Sequence, residues 1–237
     1  MFDPRNEGIG KFGRNSDVDA AEDIWSAGGD YTFAASAETL YVSSSDGGDT
    51  MDVTVVGLDA DGVETTATVT LAGQAGVVLP GTWLRTYRAY ISGATAPAGD
   101  VYVGTEAAPT VGVPAAGNVR AKIDVGVGQT LMALCTVPAE VDGRTVQRAY
   151  IADMLLTVLP GSPAGVDIDF SLYVRESGGI FLSKSSLGLT DTQPSLFRPF
   201  TKAIQVPPLA DIKLRVDSVS SANSKVSGEF AVFYEFV

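Results

Sequence analysis

Apolar and polar residues alternate one for one over stretch after stretch of this chain of 237 residues, and that rhythm confines it to β-structure. In Asp211-Ile-Lys-Leu-Arg-Val-Asp217, Ile212, Leu214 and Val216 point one way and the four charged residues the other. Asp167 to Arg175 repeats the design with Ile168, Phe170, Leu172 and Val174. Asp52–Leu58 and Val63–Leu71 flank Asp59-Ala-Asp-Gly62, a hairpin with an Asp-Gly turn. Thr65, Thr66, Thr68 and Thr70 suit a pleated, half-exposed surface.

Further strands are expected at 40–43, 82–91, 101–104, 130–137, 146–158, 179–184, 203–206 and 225–237. Residues 150–159 also fit one helical face, but their neighbours alternate, so they read as strand. Ala20–Trp25 reads as a single helical turn capped by Asp17 or Asp19. The strongly β-prone end, Glu229 to Val237, belongs inside a sheet, because an apolar edge invites aggregation. The Pro-, Gly- and Ala-rich stretch Thr105–Asn118 reads as a boundary. The expected fold is therefore all-β: an extended N-terminal arm (1–24), an acidic β-sandwich domain (25–110) and a C-terminal β-sandwich (119–237), Ig-like or jelly-roll-like.

Composition narrows the function. There is no histidine, which removes the commonest general base, the commonest metal ligand and the His-dependent triads together. The single cysteine, Cys135, forms no intrachain disulfide and sits in an apolar run as a small buried hydrophobe. No apolar run approaches the roughly 18 residues of a membrane span, and Met1–Glu7 shows no hydrophobic signal core, so cytoplasmic synthesis and no membrane partner are expected. Residues 1–118 hold 5 Lys and Arg against 16 Asp and Glu, and residues 119–237 hold 11 against 12. Between Arg14 and Arg85 there is no basic residue, and such a surface repels nucleic acid. An acidic outward-facing half and a near-neutral half set against a partner is one account of the imbalance; solubility is the plainer one.

Candidate sites are weighed against their plainer readings. Asp59-Ala-Asp-Gly62 opens like a calcium loop but runs on into a strand without the closing carboxylate. Ser44-Ser-Asp-Gly-Gly-Asp49 gathers oxygens, as any turn does. Asp167 and Asp169 share a strand face without an aromatic groove around them. No cofactor is expected. Trp83, Tyr87 and Tyr90 could form a platform for a sugar; strand packing is the plainer account. Phe197, Arg198 and Phe200 suit a subunit interface, where aromatics and arginine are enriched.

The segment Gly8-Ile-Gly-Lys-Phe-Gly-Arg-Asn15 reads as a glycine-rich basic arm, with Lys11, Phe12, Arg14 and the following Trp25 as partner-binding residues. Residues 8–31 (GIGKFGRNSDVDAAEDIWSAGGDY) resemble the N-terminus of small virion structural proteins of tailed phages from marine and environmental bacteria. Gln129–Ala139 is similar to the start of the second domain in that group. The resemblance implies a non-enzymatic virion component. The expectation is a head decoration, or cement, protein on the outer capsid surface that contacts the major capsid protein and itself. The homotrimer is implied by the decoration analogy alone. A tail, fibre or head–tail component is the alternative, and a carbohydrate-binding module a further one.

Overall fold

Alternation becomes sheet almost throughout the computed structural model, which describes residues 8–237; the reading of Met1–Glu7 lies outside the described residues. In chain order the first strands are β1 (Gly8–Val18), β2 (Glu22–Asp23), β3 (Tyr41–Ser44), β4 (Asp52–Leu58), β5 (Glu64–Thr70), β6 (Val77–Val78), β7 (Arg85–Ile91) and β8 (Val101–Gly104). A 3-10 turn, Ala116–Asn118, leads into β9 (Val119–Ile123), β10 (Leu134–Thr136), β11 (Glu140–Val141) and β12 (Arg144–Val158). The rest are β13 (Asp167–Arg175), β14 (Leu182–Thr190), β15 (Ser195–Val206), β16 (Asp211–Val219) and β17 (Ser224–Phe236). All the pairings between these strands are antiparallel. The protein is all-β. The helical turn expected at Ala20–Trp25 is replaced by β2, whose Glu22 and Asp23 pair with Val216 and Arg215.

Two compact units divide the chain: residues up to Asp30 together with Met132–Val237, and the inserted stretch Tyr31–Leu131. These limits differ from the expected boundary at 105–118. That stretch does not link: Ser43 Oγ donates to Gly112 O at 2.9 Å, and a Cβ on Gly112 would overlap the Ser44 carbonyl. The chain then continues through β9, which pairs with β8. With the observed limits, residues 31–131 hold 4 basic and 10 acidic residues, and the remainder 12 and 18, so each unit carries a net charge of −6. The imbalance between sequence halves is a product of where the chain was cut.

The inserted unit contains a four-stranded sheet, β6-β3-β8-β9, and a three-stranded sheet, β5-β4-β7. The hairpin at Asp59–Gly62 forms as the sequence predicts. Gly62 takes φ +77°, and Asp59 Oδ1 accepts the amides of Asp61 and Val63 at 2.9 Å each.

The discontinuous unit has two five-stranded sheets. One is β1-β17-β12-β11, with β15 also on β12; the other is β10-β16-β13-β14, with β2 on β16. Ile212, Leu214 and Val216 are buried together with Ile168, Phe170, Leu172 and Val174, as the alternation dictates. The sheets meet at Gly228, where a Cβ would lie 2.9 Å from Leu214 Cδ1 and 3.1 Å from Leu156 Cδ2. Strand β17 lies between β1 and β12, which shields the apolar end of the chain.

Candidate interaction face

The expected free arm is a strand. Gly8–Val18 pairs with β17 over nine positions, from Gly8 opposite Phe233 to Val18 opposite Ser224. Its glycines, taken as a sign of flexibility, have a steric cause at Gly13: a Cβ there would overlap the amide nitrogen of Ala133 and the carbonyl of Ile24. The acidic run that follows fastens the strand. Glu22 accepts hydrogen bonds from Asn15 Nδ2 (2.9 Å), the Asp19 amide (3.0 Å) and the Gly29 amide (2.6 Å). Asp23, wholly buried, binds Lys213 Nζ at 2.7 Å and Arg215 Nη1 at 3.2 Å. Arg215 also pairs with Asp30. Burial alone would lower the Arg215 pKa; the Asp30 and Asp23 carboxylates outweigh it and raise it.

Strand geometry sorts the candidate residues by face. Across the first sheet, Phe12 lies opposite Glu229, Glu229 opposite Leu155, and Leu155 opposite Phe197. Phe12 and Phe197, 45% and 58% exposed, therefore stand on one row of one face, three strand spacings or about 14 Å apart. Exposed Glu229 and half-buried Leu155 lie between them. The neighbouring rows are Gly10–Ala231–Asp153–Pro199 and Arg14–Ser227–Thr157–Ser195. Arg14 is exposed on this same face.

The opposite face carries the row Lys11–Phe230–Met154–Arg198. Lys11 is buried there, so it is not a surface contact. Arg198, at the far edge, is exposed and donates to Ser186 O at 3.3 Å. Phe200 is half-buried and falls in the register shift between Pro199 and Ile204. Trp25 is also buried; its Nε1 donates to Gly29 O at 3.0 Å, so it anchors the fold rather than a partner. Phe12, Arg14 and Phe197 remain as exposed candidates on a common face. Glu229 and Leu155 were not singled out in the sequence. The alternation of 146–158 and 225–237 gives each its face, but only the pairing register puts them between the two phenylalanines.

The other candidates resolve into structure. Trp83 and Tyr87 are buried, with Trp83 Nε1 donating to Pro80 O at 3.0 Å and the Tyr87 hydroxyl to Glu64. Only Tyr90 of the proposed sugar platform is half-exposed, with the Arg88 guanidinium 5.1 Å from its ring centre. No group of three or more His, Cys, Asp or Glu among the described residues is placed to hold a metal ion. The Ser44–Asp49 turn is closed by its own bonds: Asp49 accepts from Ser44 Oγ (2.6 Å), the Ala98 amide (2.9 Å) and the Gly99 amide (3.1 Å). Burial alone would raise the Asp49 carboxyl; these three bonds outweigh it and hold it below the usual 3.8. Asp169 accepts from Ser218 Oγ at 2.7 Å. Cys135 is buried, and burial pushes its thiol up to about 12, which keeps it protonated and unreactive.

These features define an all-β chain of two units, one of which carries a broad, half-apolar sheet face. No protein-family model matches the chain, and no curated protein matches it. Among solved structures, it is similar to the infectious bursal disease virus Gx strain structure, with 14% identity over 96% of this chain and 72% of that one, and a TM-score of 0.28. The infectious bursal disease virus VP2 subviral particle matches with 12% identity over the same shares and a TM-score of 0.25. The PBSX exported protein XepA matches with 12% identity over 95% of this chain and 84% of that one, and a TM-score of 0.22. At such scores these likenesses carry no argument about function.

Proposed function

We propose that this chain is a non-enzymatic structural protein of a phage virion, a head decoration protein that binds the outer capsid surface and works as a homotrimer. Each unit then serves as a rigid β-sandwich, and the major capsid protein is the partner. The observation that carries this reading is the row Phe12–Glu229–Leu155–Phe197, which leaves two aromatic side chains exposed in register on one sheet face. Large exposed apolar residues grouped on one surface mark interaction sites, and aromatic anchors contribute most of the energy at such sites. The resemblance of residues 8–31 to phage virion proteins supplies the identity of the partner. The attachment differs in kind from the tether expected from the sequence. A sheet face is ordered before it binds, so it loses little conformational freedom on docking.

The test is the double variant Phe12→Ser/Phe197→Ser, mixed with purified capsids that lack this protein. Two lost anchors at about 2 kcal/mol each predict a fall in affinity of about a thousandfold. Full occupancy by the variant overturns the assignment of the face. Quantifying the chain in intact particles separates head from tail: hundreds of copies accord with an icosahedral shell, a few tens with an axial tail component.

A further inference from the structure

The stretch from β14 to β15, whose two strands belong to different sheets, contrasts with the rest of its unit. Five of the nine residues in β14 and seven of the twelve in β15 are exposed. Ile180 and Leu182 are 77% and 52% exposed. In a chain of net charge −12, residues 177–207 hold three basic residues, Lys184, Arg198 and Lys202, and one acidic residue. That acid, Asp191, accepts the Gly165 amide at 2.6 Å. The basic residues are all exposed.

The inserted unit Tyr31–Leu131 has the opposite character. Its four basic residues are engaged at home. Arg120 binds Glu38 at 2.7 Å, and Lys122 binds Asp100 at 3.0 Å and Asp124 at 2.9 Å. Arg85 donates to Ala34 O at 2.6 Å, and Arg88 reaches Gln129 Oε1 at 3.3 Å. The β4–β5 hairpin itself carries Asp52, Asp59, Asp61 and Glu64 and no basic residue; Arg85 and Arg88 stand on β7, on the other side of β4. Among the described residues strand β5 pairs only with β4 and β14 only with β13, so each leaves one edge open.

We propose that the basic β14–β15 stretch of one copy docks on the acidic β4–β5 hairpin of a second copy. The occupant is fixed by charge: two basic stretches repel each other, as do two acidic hairpins, so only the unlike pair is favourable. Such a contact is head-to-tail, and it forms a ring when the rotation between copies closes. The inference deepens the self-association in the proposed function by naming both surfaces.

Sedimentation velocity of the full chain over a range of concentrations tests it. The wild type forms a concentration-dependent oligomer that weakens as salt is raised. Lys184→Glu/Lys202→Glu and Asp59→Lys/Asp61→Lys each weaken association by about tenfold or more. All four substitutions in one chain restore it, which no folding defect would do. A wild-type chain that stays monomeric at every concentration and salt, association untouched by either reversal, or a fourfold variant that fails to reassemble overturns the proposal. A monomer that still saturates capsids overturns this contact and leaves the capsid reading standing; an oligomer that ignores capsids does the reverse.

Discussion

Strands β1 and β15 form the two edges of one sheet, yet they are built on opposite principles. β1 has the poorer sequence for a strand, with three glycines and two cations within seven residues. It nevertheless buries Lys11, Gly13, Asn15 and Val18, seats Gly13 against Ala133 and Ile24, and is fastened through Glu22. β15 has aromatic and β-branched residues, but it buries only Val206 and carries Pro199 and a register shift. Composition measured how well each segment could pack in general. Close approach and ion pairing decided where each one packs here.

The comparison breaks most sharply at Asp23. Asp23→Ala leaves Lys213 and Arg215 without their buried counter-charge, and a loss of about 3–5 kcal/mol is expected in denaturant unfolding. A loss under about 1 kcal/mol would mean that the N-terminal segment is not held through this pair. Next comes Gly13→Ala, which forces a methyl group into backbone and is expected to cost about 1–3 kcal/mol. Its control is Gly10→Ala, on the same strand, where nothing lies within 4 Å of the added carbon. That change should stay within about 0.5 kcal/mol. Equal effects at the two positions would return Gly8–Asn15 to the status of a loose arm. On the other edge, Phe197→Ala should move stability by about 0.5 kcal/mol or less, because the ring is largely solvated.

The smallest effect is on pH dependence, and it belongs to the inserted unit. The Asp49 carboxyl is held below 3.8, so its contribution is present above that value and lost as pH falls through the lower folded-state value. The melting temperature should therefore fall once pH drops beneath about 4, and Asp49→Asn should flatten that part of the curve. An unchanged slope in the variant would assign the acid sensitivity to other carboxylates.

Much of the fold was legible where one strand face is apolar and the other polar. β13 and β16 show clean alternation because one face of each meets the apolar core and the other carries polar residues, of which Asp211 and Lys213 on β16 are buried in ion pairs. β14 and β15 were read as short pieces at 179–184 and 203–206, since strands with little burial impose little pattern on their sequence. β1 was missed because its signal is an absence: Gly13 records a neighbour 120 residues away, which a local window cannot register. The candidate face was legible in parts. Phe12, Arg14 and Phe197 were picked out, whereas Lys11, Arg198 and Trp25 fall elsewhere. Sequence identifies sticky residues, but only pairing across three ladders shows which of them look in the same direction.

Placing β17 between β1 and β12 has a consequence for synthesis. In synthesis Gly8–Val18 leaves the ribosome well before the backbone that will satisfy it, Ser224–Phe236, which is translated more than two hundred residues later. Through that interval the discontinuous unit has no way to finish, while Tyr31–Leu131 already holds every residue of its own sheets. Premature termination before Ser224 would strand the leading segment without its ladder, so maturation of this unit doubles as a check that translation has passed that point.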